Sequence, residues 1–563
     1  MVDHIILMET SWEIEEVSRE KVRSLASGLN ISDLSASFLI ARTIDSVQKA
    51  KEFLYPSPKY LHDPFLLKDM EEAVRRICEA IEKKEKICIC GHEDVDGITA
   101  TCVLFETLKD MGAYLIYYIP SKKEEGQGLV KNIVDTLFKN GVKLIITVDC
   151  GISNVKDIEY AKSKGIDVII SDHHEIPKTL PDAVACIDPK REDDTYPIDT
   201  LPGVGISFKL AQAVSMKRMK ITPSQFLSVK KDLTSLVLLG VMADRVPLLE
   251  ENRSFYVLGS KSLQESNRVW VKTLRMNDPN QKDTVIPRNI VPILSSARSK
   301  RGLNPGCEFL LTNDGRKASK IYNQLLNISK NWHKESKVLY DRIKENAKSS
   351  IHSKLIVAVD FQTSPYLLGY FANRLREEFS RPAFVIGLRK NSATGEGRGI
   401  KSFNLVECLK TCDDILLDYG GHKQAAGFSI NVKNISEFKQ RVKHYANINI
   451  DWNDLTKKIE IDVETSLNSI TDKVLDETGL FAPFGKGNRQ PLILVKDVEL
   501  KRSEDGYICI DRNGTTKLLH ANYPQTKWVS LSGEPIRLDC IFSLNKRKIS
   551  LFDSRPSFKK FNI

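Results

Sequence analysis

At 563 residues the chain has room for about four folding units of roughly 150 residues each, and its 41% hydrophobic and 28% charged residues exclude a disordered polymer. Lysine and arginine outnumber aspartate and glutamate, 83 to 73, a net +10 that suits a polyanionic partner without requiring one. Apolar stretches such as Ser235 to Ala243 fall far short of the roughly 20 residues of a membrane span, MVDHIILMETSWEIEE lacks the marks of a leader, and 11 cysteines lie mostly within apolar runs; a cytoplasmic chain with reduced thiols and no membrane partner is expected.

In chain order, residues 1–50 read as a helical segment without strand alternation, with Asn30 or Ser32 as an N-cap before DLSASFLIARTI. From about 85 to 250, short β-branched runs (KICIC, AYLIYYIP, KLIITVD, DVIIS) alternate with helical periods, which predicts a parallel α/β sheet apolar on both faces. Residues 313–346 carry Ile321, Leu325, Ile328, Val338, Leu339 and Ile343 at helical spacing and predict a long connecting helix. A second α/β segment runs from KLIVAVD through AFVIGLR to GGHKQAAGFSI. From about 455 onward KIEIDVE, PLILVKDVEL, YICID, IRLDCIF and RKISLF read as strands of a small β-barrel. The expected divisions are 1–50, 51–312, 313–346, 347–446 and 447–563.

Three acidic segments stand directly after predicted parallel strands: His92-Glu93-Asp94-Val95-Asp96-Gly97, Asp149-Cys150-Gly151 and Asp172-His173-His174. Ligands of open α/β sheets bind beyond the carboxyl ends of the strands, so these groups should converge. Asp244, at the end of an apolar run, is a fourth candidate. Carboxylates crowded together repel one another unless cations neutralise them. Asp94, Asp96, Asp149, His173 and Asp244 offer enough donors for two divalent ions sharing a carboxylate, with Mn²⁺ suited better than Mg²⁺ to a mixed Asp/His set. Such a pair can activate water and stabilise both oxygens of a phosphoryl displacement. Taken alone, Asp94 to Gly97 is equally a helix cap and turn, an EF-hand lacks its terminal Glu because Val103 stands there, and Cys88 and Cys90 read as core residues of a strand.

Asp94-Val95-Asp96-Gly97, Asp149-Cys150-Gly151, Asp172-His173-His174 and Val241-Met242-Ala243-Asp244 resemble the four motifs of the DHH phosphoesterase superfamily. The resemblance is closest to its RecJ family of single-strand-specific 5′ to 3′ DNA exonucleases. It extends to Leu61-His62-Asp63-Pro64-Phe65, to Leu201-Pro202-Gly203-Val204-Gly205, to the GGHKQAAGF run from Gly420 to Phe428, and to the FAPFGKGN run from Phe481 to Asn488. It implies a multi-domain α/β fold: a DHH parallel-sheet lobe and a DHH-associated α/β lobe joined by a long helix, then a C-terminal OB-fold β-barrel.

The resemblance further implies that Asp94 and Asp149, with His92 nearby, hold one ion, and Asp96, Asp149, His173 and Asp244 the other. His174 would face the scissile phosphate and Asp172 would orient the adjacent imidazole. Lys122, Arg298 and Arg374 would surround the 5′ end, with Gly420, Gly421 and His422 lining the opposite wall. Phe481, Phe484, Tyr507 and Tyr523 are candidates for base stacking or for core. The implied partners are single-stranded DNA and, in repair and recombination, a single-strand-binding protein, a RecQ-type helicase or replisome components. His92 stands where many RecJ chains have Asp, Ser295-Ser296-Ala297-Arg298 replaces N-A-A-G-R, Asn373 replaces a serine, and Gln127 replaces a frequent aromatic. An RNA or short-oligonucleotide phosphodiesterase and a non-catalytic replication scaffold are the rival readings.

Overall fold

The computed structural model describes residues 10–126, 128–279, 282, 285–388, 392–503, 506–519, 537–546 and 548–557. Gln127 and Tyr523, both singled out in the sequence, lie outside them. The chain forms two compact units. One comprises Met1–Glu13 and Lys330–Glu460, the other Ile14–Ser329 and Ile461–Ile563.

The amino-terminal segment is not wholly helical: β1 (Ser11–Ile14) precedes α1 (Arg19–Leu29), α2 (Asp33–Ile40) and α3 (Val47–Leu54). The alternation of Trp12 and Ile14 with polar neighbours is too short to register as a pattern; long-range pairing with a later strand makes the strand. Ser32, rather than Asn30, caps α2, its side chain accepting from the Ser35 N–H.

Next come α4 (Met70–Glu82), β2 (Lys86–Cys90), α5 (Val95–Asp110), β3 (Tyr114–Tyr118), α6 (Lys131–Lys139), β4 (Val142–Val148), α7 (Val155–Ser163), β5 (Asp167–Ser171) and β6 (Ala185–Ile187). The sheet order is β3-β2-β4-β5-β6, and every pairing is parallel. Strands β2, β4, β5 and β6 are largely buried on both faces, which explains their apolar character, whereas β3 at the edge is only partly covered. Cys88 and Cys90 are core residues there. The order reverses between β2 and β4, so the crevice at their carboxyl ends is where a ligand is expected.

A helical run follows: α8 (Gly203–Met219), α9 (Pro223–Val229), α10 (Leu233–Asp244), α11 (Glu250–Glu265), α12 (Val269–Asn277), α13 (Ile286–Leu294) and α14 (Pro305–Leu311). Helices α5, α8 and α10 pack together beside the sheet. Then α15 (Gly315–Ala347) forms the expected long helix. Ile321, Leu325 and Ile343 of its apolar stripe are buried, whereas Ile328 and Val338 are exposed.

The unit containing Lys330–Glu460 holds β7 (Ile356–Asp360), α16 (Pro365–Phe379), β8 (Ala383–Leu388), β9 (Ser392–Arg398), α17 (Leu405–Lys410), β10 (Leu416–His422), β11 (Ala425–Asn431) and α18 (Ile435–Asn449). Its sheet runs β10-β11-β9-β8-β7, with only β7 and β8 parallel. Strand β12 (Lys458–Ile461) pairs with β1 and not with the strands that follow.

Those are β13 (Val463–Glu464), α19 (Asp472–Thr478), β14 (Leu492–Ser503), β15 (Gly506–Ile510), β16 (Thr516–Leu519), β17 (Arg537–Asn545) and β18 (Lys548–Pro556). They form one sheet in the order β16-β15-β14-β17-β18, antiparallel throughout, with β13 added in parallel to β14. The strands expected of an OB-fold are present, and β16 lies near β18, but no closed barrel forms among the described residues. The sheet shares one apolar core with α1, α2 and α3. Phe481 is fully buried there between Phe38 and Phe53, which settles it as a packing residue and not a base platform. Phe484 and Tyr507 pack partly against the same core.

Candidate metal centre

The turn after β2 begins the site. Asp94 caps α5, its Oδ1 accepting from the Gly97 N–H at 3.0 Å, while its Oδ2 lies 3.0 Å from His92 Nδ1. The cap and ligand readings of this segment are therefore compatible, since one carboxylate oxygen serves each.

Asp96, one helical step on, is buried and accepts from the first two amides of α8, Gly203 N to Oδ2 at 2.7 Å and Val204 N to Oδ1 at 3.0 Å. The positive end of a 17-residue helix thus faces a buried acid. Gly203 has a second role: a Cβ there would lie 2.5 Å from the Asp149 Cβ. The LPGVG segment is therefore part of the site, a role the sequence reading did not give it; a glycine at a helix start beside an acidic motif was the available signal.

Asp149 follows β4 with φ +58, a left-handed conformation that costs a non-glycine residue about 1–3 kcal/mol and marks a constrained position. Its Oδ1 lies 3.0 Å from His173 Nε2, and its buried Oδ2 has no hydrogen-bond partner and lies 3.8 Å from the same buried His92 Nδ1 that faces Asp94. His173 Nε2 is 3.9 Å from Asp96 Oδ2, and its Nδ1 is 3.8 Å from Asp244 Oδ2. Two donor groups result, His92–Asp94–Asp149 and Asp96–His173–Asp244, each with its donor atoms within 4.8 Å of one another. Asp149 and His173 link them, and a third set, Asp149–His173–His174, overlaps both.

Electrostatics agree with a cation site. Burial, then repulsion from Asp94, Asp96 and Asp172, pushes the Asp149 carboxyl well above its ordinary range; burial, then Asp244 and Asp94, does the same to Asp96. Burial and then Asp94 raise Asp244 to about 6. Burial, then the neighbouring His174, lowers His173 to about 4, leaving a neutral imidazole with a lone pair to offer. Orphaned buried donor atoms, repelling carboxylates and a neutral imidazole fit a pair of divalent cations.

His174 is half-exposed, and Asp172 Oδ1 holds its Nδ1 at 2.7 Å; this hydrogen bond raises the imidazole above its usual value. Asp172 is buried, its Oδ1 also accepting from the His173 N–H and its Oδ2 from the Ile152 N–H. Asp188, just after β6, is another buried acid with an unpartnered Oδ2, raised by burial to about 7. It stands where the other three acidic segments stand, beyond a parallel strand, and its single carboxylate was too faint a motif to be noticed.

The structure thus gathers His92, Asp94, Asp96, Asp149, Asp172, His173, His174 and Asp244. Lys122 and Arg298 are exposed in the same unit, and the Arg298 guanidinium donates to the Ser295 and Ala297 carbonyls, both at 2.8 Å. Arg374, Gly420, Gly421 and His422 belong to the other unit. There Arg374 lies 3.8 Å over the Tyr340 ring, and the glycines and His422 form the exposed end of β10, with Gly421 at φ +136 against Ala425 and Ala426.

Comparison with known proteins gives a consistent picture. Residues 86–241 match the DHH family, N-terminal domain, and residues 352–447 match the DHHA1 domain. A Bacillus subtilis protein named single-stranded-DNA-specific exonuclease RecJ is 32% identical over 94% of the chain, and the chain spans 65% of that relative's length. The crystal structure of Thermus thermophilus RecJ in complex with Mn²⁺ has the same fold, with a TM-score of 0.78 at 22% identity over 98% of this chain and 80% of that one. A crystal structure of an exonuclease RecJ bound to manganese has a TM-score of 0.59 at 28% identity, covering 69% of this chain and 98% of that one.

Proposed function

The chain belongs to the RecJ branch of the DHH family, and from that premise we propose that it is a metal-dependent exonuclease, degrading single-stranded DNA from the 5′ end to mononucleotides. The observation that carries this reading is Asp149, a buried carboxylate in a left-handed conformation with one oxygen unpartnered, standing where two cation-sized donor groups meet. His92, Asp94 and Asp149 would hold one divalent ion, and Asp96, Asp149, His173 and Asp244 the other, Mn²⁺ or Mg²⁺. Such ions supply charge stabilisation for a transferring phosphoryl group and a nucleophilic water at neutral pH.

The chain's own residues do the rest. The α8 amides hold Asp96 in place, and Gly203 lets the helix start approach Asp149. Asp172 fixes the His174 tautomer and favours its protonated form, leaving Nε2 to donate to a phosphate oxygen. Lys122 and Arg298 supply positive charge for the terminal phosphate.

On this reading the strand is delivered by factors that open or coat DNA, such as a RecQ-type helicase, a single-strand-binding protein or replisome components, in the cytoplasm. No helix of the described residues is long and apolar enough to cross a membrane.

The test offers the purified chain, with Mn²⁺ or Mg²⁺, 5′-labelled single-stranded DNA, single-stranded RNA, duplex DNA and a dinucleotide, beside Asp149→Ala. Mononucleotides from single-stranded DNA alone, lost in the variant, are expected. RNA cleaved faster than DNA would move the substrate to RNA, and no cleavage by either protein would leave a scaffold.

A further inference from the structure

Glu93 sits between two candidate cation ligands, His92 and Asp94, yet belongs to none of the donor groups. Its carboxylate reaches two other loops. Oε1 accepts from the Ser299 N–H at 2.6 Å, and Oε2 accepts from the Lys122 N–H at 3.3 Å. Ser299 directly follows Arg298, so one side chain ties the backbones that carry Lys122 and Arg298 to the turn that carries His92 and Asp94.

The two loops also meet independently of Glu93. The Ile119 N–H donates to the Gly302 carbonyl at 2.9 Å, and a Cβ on Gly302, at φ +76, would strike the Tyr118 ring at 2.3 Å. Glu125 closes the Lys122 loop on itself, accepting from the Ser121 N–H at 3.0 Å and from the Tyr118 hydroxyl. Asn304 holds the other loop through Ser299 Oγ at 3.0 Å. A carboxylate is an unfavourable neighbour for a bound phosphate unless its oxygens are already committed, and both oxygens of Glu93 are committed to amides.

We propose that Glu93 is a positioning residue that holds Lys122 and Arg298 as one clamp for a terminal phosphate, at a fixed offset from the cation ligands beside it. The inference deepens the exonuclease reading and rests on it. A phosphate seated at the clamp leaves the next phosphodiester of the strand for the acidic cluster, so Glu93 sets where the strand stops.

The experiment measures binding of the full chain in EDTA, by fluorescence anisotropy, to one oligodeoxynucleotide carrying either a 5′-phosphate or a 5′-hydroxyl. The wild-type chain is expected to prefer the phosphorylated strand, and Glu93→Ala to lose at least about fivefold of that preference, because the two backbone amides that hold the loops together lose their shared acceptor. Glu93→Gln keeps one acceptor, should lose less, and serves if the alanine variant fails to fold. An equal loss of affinity for both strands would assign Glu93 a merely structural role and overturn the proposal, as would a wild-type chain without preference. The two readings fail separately. If wild type degrades single-stranded DNA with Mn²⁺ while the variants keep its end preference, only the clamp falls; if wild type degrades nothing, the exonuclease reading falls and takes the clamp with it.

Discussion

Asp149 reaches its place at the expense of a strained backbone, a buried charge and an unpartnered oxygen, and each of these costs is offset by a cation. Protons compete for the same oxygens. Asp244 titrates near 6, and Asp96 and Asp149 are also raised, so the folded metal-free chain holds protons that an unfolded chain has released. The contribution of Asp244 to stability is largest below the ordinary carboxylate range and is lost as pH rises through about 6, and those of Asp96 and Asp149 have the same sign. His174, raised by Asp172, acts in the same direction; His173, lowered to about 4, acts oppositely. Because binding must displace the carboxyl protons while His173 is already neutral, the thermal stabilisation given by Mn²⁺ should be small at pH 5 and grow by pH 7.5, reaching about 2.7 kcal/mol at a hundredfold excess over Kd. Melting curves in EDTA and in Mn²⁺ at the two values check this, and a pH-independent increment would count against the donor groups. Asp172→Asn removes the charge that favours the His174 imidazolium. It should slow DNA degradation about 10- to 100-fold and bring the His174 titration down toward about 6.5, read by NMR.

At the scale of elements, the acidic cluster depends on one helix start. Helix α8 brings two amides to Asp96 and a missing Cβ to Asp149, so Gly203→Ala should force Asp149 aside. An expected 10- to 100-fold loss of Mn²⁺ affinity with little change in helix content, by calorimetry and circular dichroism, checks it; wild-type affinity would show that Asp149 has room to give. Much of this architecture was legible in the sequence for a physical reason. Strands β2, β4 and β5 are buried on both faces, so each reads as an unbroken apolar run, and the motif that follows each is placed by the parallel topology alone. Strand β1 was not legible, because four residues carry no period and their partner lies more than 440 positions away. The place of Gly203 in the site was not legible, because a cradle is defined by the absence of a side chain. Asp188 escaped because an acid without a motif acquires meaning only from the atoms that surround it, and the separate role of Glu93, though it lies inside a motif, shows only in the two amides it holds.

Across the whole molecule, the stretches that build the unit containing the cluster are widely separated in sequence, and buried arginines join them. Arg42 reaches Asp462 at 3.1 Å and Asn488 at 3.0 Å, linking α2 and its neighbours to the chain that leads into β14. Arg253 of α11 is 1% exposed and spends its guanidinium wholly on carbonyls: Phe53 at 2.6 Å, Leu480 at 2.7 Å, Ala482 at 2.9 Å and Phe481 at 3.0 Å. It also lies 4.0 Å from the Phe53 ring centroid. The FAPFGKGN run is thereby fixed against the segment that follows Asp244, since the Leu248 N–H donates to the Lys486 carbonyl at 2.8 Å and Gly485 lies close against the Leu248 side chain. Arg253→Met keeps much of the volume but strands these carbonyls without donors, and should cost about 3–5 kcal/mol in urea unfolding. Because the same run backs the turn after Asp244, the variant should also bind Mn²⁺ more weakly at a temperature where it is still folded. A variant that loses stability but keeps its metal affinity would show that Asp244 is placed by α10 alone, and that the carboxyl-terminal sheet is coupled to the cluster by covalent connection rather than by packing.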